Sequence, residues 1–228
     1  KDGYIYIHDQ SARLDTMNCC LVDVASVLKD GFEMGNVWYN EPKTLDTAFD
    51  VMGDIILSTA AQQYGGFTVP EVDKILAPYA KKSYDKYHEE FLEYTDASWS
   101  GREERAEKYA WEKVCRDCDQ GWQGIEYKLN TVGSSRGDYP FVTVTLGLGT
   151  SRFEKMISVS LLNVHKEGQG KKGHKKPVLF PKIVFLYDKN IHDPGCECED
   201  VFEAGVACSA KTMYPDWLSM SGEGDISS

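Results

Sequence analysis

The sequence has no apolar run long enough to cross a membrane and no surplus of basic residues: 25 Lys and Arg face 36 Asp and Glu, a formal charge of −11. The first shortage argues against a transmembrane helix. The second argues against direct binding of nucleic acid, which needs a basic face. Lys1-Asp2-Gly3-Tyr4 lacks the basic and apolar regions of a secretory signal. Internal repeats and low-complexity tracts are absent as well, and the glycine-bearing stretch Asn130 to Asp138 is no Walker or dinucleotide pattern. With no initiating Met and no end signal around Ser228, the sequence reads as a fragment of a longer chain. Its 7 cysteines are an odd number, which suits a reducing, cytoplasmic setting better than a disulfide-stapled secreted domain.

What is present is enough for a substantial core, with 42% hydrophobic residues in 228. Tyr4 to Ile7 is a short β-prone run, and Cys19 to Val24 predicts a buried strand or a strand leading into a helical turn. From Thr44 the period changes. Leu45, Ala48, Phe49, Met52, Ile55, Ile56 and Thr59 mark one helical face, which Gly65-Gly66 should cap. Thr68-Val69-Pro70-Glu71 has the form of a capping box, Pro78 is expected to end or kink the helix that follows, and more helix is expected to about Tyr94 and from Arg102 to about Asp119. After Gly121 the pattern turns to strands: Tyr139 to Leu146 alternates, Ile157 to Leu162 is a short candidate, and Pro177 to Tyr187 is apolar, with Pro181 demanding an edge, bulge or starting position. The remainder reads as irregular. Helices interleaved with apolar strands predict an α/β fold with a largely parallel sheet.

Four segments could carry chemistry. His8-Asp9 is either a base with its orienter or the polar end of a strand. In Asn18-Cys19-Cys20, alternation lets only one thiol face a given cavity, and a buried cysteine is often just a small hydrophobe. Cys208, amid Ala207 to Trp217, reads as a cysteine on a loop, suited equally to function or to packing. Asn130 to Asp138, with Ser134, Ser135 and Arg136, could cradle a phosphate or ribose, or be a plain turn. Cys115-Arg116-Asp117-Cys118 and Cys196-Glu197-Cys198 would make poor zinc spacing together, so no metal site is expected in this chain.

Taken in order, Gly3 to Asp9, Asn18-Cys19-Cys20-Leu21, Gln62 to Gly66, Asn130 to Phe141, and Cys208 to Trp217 resemble the anaerobic (class III, glycyl-radical) ribonucleoside-triphosphate reductases. The resemblance implies part of a ten-stranded α/β barrel: the first half-barrel, an inserted helical region over about 44–119 for dimerisation and effector binding, and a finger loop over about 199–219. It implies Cys208 as the fingertip thiyl residue that attacks the ribose and Cys19, on the first barrel strand, as hydrogen donor. Asn18, His8, Ser134 and Ser135 are implied to bind substrate. The reaction implied is reduction of ribonucleoside triphosphates to 2′-deoxyribonucleoside triphosphates, with formate or a dithiol as reductant and dNTP or ATP as allosteric effectors. Its partners would be a radical-SAM activating enzyme and a second copy of the chain. The glycyl-radical segment, the structural zinc cysteines and the N-terminal regulatory module of the family have no match in this sequence, so the fragment alone is expected to be inactive. Two alternatives stand beside this reading: another glycyl-radical barrel enzyme (a lyase or acyltransferase), and a non-catalytic zinc or redox module built on the extra cysteine pairs.

Overall fold

The computed structural model describes residues 19–62, 65–133 and 137–221. In chain order its elements are β1 (Cys20–Leu21), α1 (Val24–Asp30), the hairpin β2 (Phe32–Met34) and β3 (Val37–Tyr39), α2 (Leu45–Gln62), β4 (Phe67–Val69), α3 (Val72–Tyr94), α4 (Arg102–Thr131), β5 (Val142–Leu146), α5 (Arg152–Glu167), β6 (Lys182–Tyr187), α6 (Lys189–His192), α7 (Glu199–Thr212) and β7 (Asp216–Ser219).

Strands β1, β4, β5, β6 and β7 form one sheet in that order, and every pairing in it is parallel. Parallel neighbours taken in sequence need a crossover each time, and right-handed crossovers place all the connecting helices on one face. The burial pattern agrees. Phe67, Val69, Val142, Val144, Leu146, Ile183 and Phe185 are buried among the helices, while the alternate positions Thr68, Thr143, Thr145 and Val184 are less covered. The helices expected over about 44–119 are therefore not an insertion. They are the crossovers from β1 to β4 and from β4 to β5.

Several local expectations change. Thr68 lies in β4, and the residue before α3 is Glu71, in a left-handed conformation at φ 47° with no side-chain cap, so the capping box does not form there. The box forms instead at Ser151 and Glu154, which open α5. Pro78 sits inside an unbroken α3. Pro78 and Lys74, whose carbonyl it leaves without an N–H, both lie on the exposed side where water can serve. Helix α4 continues past Gly121 to Thr131, because Trp122, Ile125 and Leu129 prolong the buried stripe begun by Ala106, Ala110, Val114 and Cys118. Residues 157–162 are helical, within α5: Ile157, Leu161 and Val164 recur at helical intervals. Pro181 stands just before β6, at a strand start.

The expected finger loop over 199–219 is overturned too. Residues 199–212 are α7, and 216–219 are β7, the fifth strand of the sheet. Small residues around Cys208 that suggested a loop serve close packing: a Cβ at Gly205 would sit 3.0 Å from the Trp217 ring and 3.2 Å from that of Phe185.

Candidate active site

Two regions of the sheet can carry chemistry: the face that no helix among the described residues covers (the helix-free face) and the carboxyl-terminal edge. On β1 the alternation is plain. Cys19 and Leu21 are exposed, Leu21 at 71%, whereas Cys20 packs against the core. Register runs Leu21, Thr68, Thr143, Lys182 straight across the sheet, so these four share the helix-free face. One row earlier, the same register sets Cys19 beside Gly66 and Gly66 beside Phe141. A Cβ at Gly66 would lie 2.3 Å from Phe141 Cδ1, so only glycine there leaves room for the Phe141 ring against the neighbouring strand. Lys182 Nζ stands 5.0 Å over that ring. Cys19 thus shares one face of the sheet with Phe141, Lys182 and the threonines Thr68 and Thr143.

At the carboxyl-terminal edge, where open parallel sheets bind ligands, the turn after β5 is held from below. Asp73 is buried, and its Oδ2 accepts the Gly147 N–H (3.1 Å), the Gly149 N–H (3.2 Å) and the Ser158 hydroxyl (3.2 Å). Burial pushes its carboxyl above the usual range against the pull of those donors. His192, also buried, accepts the Asp188 N–H at Nδ1 (3.0 Å), which leaves Nε2–H to donate to the Gly147 carbonyl at 2.8 Å. Neither Asp73 nor His192 was singled out in the sequence: neither sits in a recognisable motif, and each meets Gly147 only through folding.

A second buried polar cluster lies among the helices. Glu126 on α4 meets His165 Nδ1 on α5 at 2.9 Å and accepts from Gln169. One turn on, Asn130 accepts the Leu179 and Phe180 N–H groups at 3.1 Å and donates to the Phe180 carbonyl at 2.7 Å. Asn130 thus ends α4 and clamps the entry to β6. It does not face the open side. A cavity of about 400 Å³ lies on the outer, helical side, lined by Trp111, Cys115, Arg152, Lys155 and others, with the Arg152 guanidinium 3.8 Å over the Trp111 ring.

The family model described as anaerobic ribonucleoside-triphosphate reductase matches residues 1–227. The chain belongs to the anaerobic ribonucleoside-triphosphate reductase family. The enzyme of that name from Enterobacteria phage T4 is 36% identical over 225 residues, covering 96% of this chain and 35% of its own length. That of Escherichia coli K12 is 36% identical over 220 residues, covering 95% of this chain and 30% of its own. The chain thus spans about a third of the curated relatives it matches. In fold it is similar to the anaerobic ribonucleotide reductase of Thermotoga maritima, solved in complex with dATP and CTP, at TM-score 0.61 and 13% identity over 95% of this chain and 35% of that one. The glycerol-bound form of the same protein gives 0.62 at 15%, over 95% and 34%.

Set in the family, the expected site divides. Cys19 stands on the open face. Cys208 does not: it is fully buried in α7 within the helix-side core, its Sγ 3.5 Å from Thr212 Oγ1 and its thiol pushed up by desolvation. Helix α7 joins β6 to β7, at the far edge from β1. Four strand spacings of about 4.8 Å, or roughly 19 Å along the sheet, separate those edges, and the two thiols lie on opposite faces. No ribose fits between them, so the assignment of Cys208 as fingertip is withdrawn. Asn18 and His8, and likewise Ser134 and Ser135, fall outside the described residues. Among the described residues no group of three or more His, Cys, Asp and Glu could hold a metal. Cys118 is buried with its thiol driven far up by desolvation. No helix among them is long and apolar enough to cross a membrane.

Proposed function

We propose that the whole protein reduces ribonucleoside triphosphates to 2′-deoxyribonucleoside triphosphates in the absence of oxygen, with this chain forming the first half of a ten-stranded barrel whose inner wall is the helix-free face. The observation that carries this reading is Cys19, exposed on the open side of an all-parallel sheet in a chain of this family. All-parallel sheets are covered on both faces, and Leu21, Phe141 and Leu218, at 71%, 48% and 38% exposure, offer an apolar surface for the second half to cover. Closure of that kind excludes water from chemistry that water and oxygen would quench.

A glycyl radical formed on another segment of the whole protein supplies the unpaired electron, relayed to the ribose by a fingertip cysteine that follows β7. Within this chain, Cys19 presents its S–H from β1 to the opposite face of the sugar and delivers hydrogen as the 2′-hydroxyl departs as water. Phe141 keeps that thiol dry, and the Thr68 and Thr143 hydroxyls lie one register row on. Asn18 binds the substrate beside Cys19, with His8, Ser134 and Ser135 as further contacts. Formate or a dithiol completes the reduction, dNTP or ATP tunes it, a radical-SAM activating enzyme starts it, and two copies assemble in the cytoplasm.

The test is anaerobic assay of the full-length protein after activation. Cys19→Ser should form the glycyl radical, seen by electron paramagnetic resonance, yet yield no deoxynucleotide. Deoxynucleotide at the wild-type rate would remove Cys19 from the site.

A further inference from the structure

The cavity of about 400 Å³ on the outer helical side is a cleft between α4 and α5, with the start of α7 beside it. Two cross-links mark its ends. At one, the Arg152 guanidinium of α5 lies 3.8 Å over the ring of Trp111 on α4, with the Tyr84 ring at 5.0 Å. At the other, the Ser160 hydroxyl of α5 donates to Asp119 Oδ1 on α4. Trp111 and Asp119 stand eight residues apart, as do Arg152 and Ser160, so each wall is about 12 Å long by helical rise. Cys115, Met156 and Val159 line the middle and make it apolar.

The charges divide along the same axis. Lys155, on the α7 side, is answered by Asp200 Oδ1 at 3.1 Å and by the Glu197 carbonyl at 2.7 Å. Arg152 and Asp119 have no such answer. Among the described residues neither is in an ion pair, and the side-chain N–H groups of Arg152 meet no protein acceptor. Stacking holds the guanidinium plane while its N–H edges stay free, which presets an arginine for a phosphate or carboxylate. A carboxylate that accepts one hydroxyl has lone pairs left for a further N–H. An apolar floor with a few polar groups at its rim is the usual make-up of a small-ligand site, as is a volume within roughly 300–1,000 Å³.

We propose that this cleft binds a nucleoside monophosphate whose base carries an exocyclic amine, with the phosphate on Arg152 and the amine on Asp119. The ligand has to be long, anionic at one end, a donor at the other and flat and apolar between. A mononucleotide extended from phosphate to base edge meets all of these, its ring face lying along Cys115, Met156 and Val159. A zwitterionic peptide shares the two charges but brings no flat body for the middle. The cleft lies across the sheet from the open face of Cys19, and its ligand does not depend on the reductase reading.

The test uses the full-length protein without oxygen and reads Cys115, whose partly exposed thiol lies in the cleft wall. Its alkylation by iodoacetamide, followed by mass spectrometry of the peptide, should slow about 10-fold or more at saturating adenosine 5′-monophosphate, since such pockets cover most of a ligand's surface. Cys118, buried on the same helix, should stay unlabelled and report an intact fold. Adenosine lacks the phosphate, and purine riboside 5′-monophosphate lacks the amine. Each should need about 10-fold more ligand for equal protection, the loss expected for one charge-assisted hydrogen bond. Arg152→Gln should make adenosine and its monophosphate protect alike, and Asp119→Ala should do the same for the pair that differs in the amine. Undiminished protection in R152Q, equal protection by inorganic phosphate, or none at about 10 mM, which fills even a millimolar site, overturns the proposal. So does a Cys115 that fails to react because another part of the full-length protein covers the cleft. Turnover is not measured, so failure here is distinct from failure of the reductase reading.

Discussion

The ring of Phe49 on α2 occupies the space where Gly121 of α4 would carry a side chain: a Cβ there would lie 2.1 Å from Phe49 Cδ2. The same ring meets Trp122 edge-on, with centroids 5.0 Å apart. Glycine at 121 is thus a packing requirement inside a helix, not the end of one.

Gly121→Ala should destabilise the chain by about 1–3 kcal/mol through overpacking. Gly124→Ala, three residues on with nothing within 4 Å of its added carbon, should stabilise it by about 0.5–1 kcal/mol through helix propensity. Urea unfolding of the two variants reads the difference, and equal effects would contradict the packing.

Cys208→Ala should cost about 1 kcal/mol of stability for a lost buried sulfur and leave deoxynucleotide formation by the activated full-length protein within about twofold. Loss of turnover with radical yield intact would return Cys208 to the catalytic site against its place in α7.

Asn130→Ala removes the acceptor of two N–H groups and the donor to Phe180 at the entry to β6. It should cost about 1–3 kcal/mol without raising KM for the nucleotide, as expected for a clamp between α4 and β6. A raised KM at unchanged stability would instead restore Asn130 to the phosphate- or ribose-cradling role its sequence suggested.

Burial raises the Asp73 carboxyl above 3.8. The unfolded chain therefore gives up this proton first as pH rises, so the stability contributed by the protonated group is full below 3.8 and is lost as pH climbs through the raised folded value. Across that window the wild type should lose stability relative to D73N, whose group does not titrate. Thermal unfolding of both proteins from pH 3.5 upward, on the order of the range where carboxyls titrate, checks the sign. A gap that stays constant with pH would contradict it.

The sequence by itself determined the class of fold and the helical faces. Period 3.6 in Leu45 to Thr59 and period 2 in Val142 to Leu146 are local consequences of backbone geometry, legible without knowing any partner. Alternation also said that only one of Cys19 and Cys20 could face a given cavity, while the choice of Cys19 came from the family resemblance alone. It could not say that Ile157 to Leu162 is helix rather than strand, since a short apolar run fits either, nor that Gly121 continues a helix, since only Phe49 explains it. Tertiary structure alone decided which face of the sheet each cysteine meets. Cys208 and Cys19 look alike as cysteines among small residues, but which face of the sheet each meets depends on strand order and crossover hand. Asp73, Gly147 and His192 are scattered along the chain, and only the parallel sheet, by stacking its strand ends along one edge, makes neighbours of them.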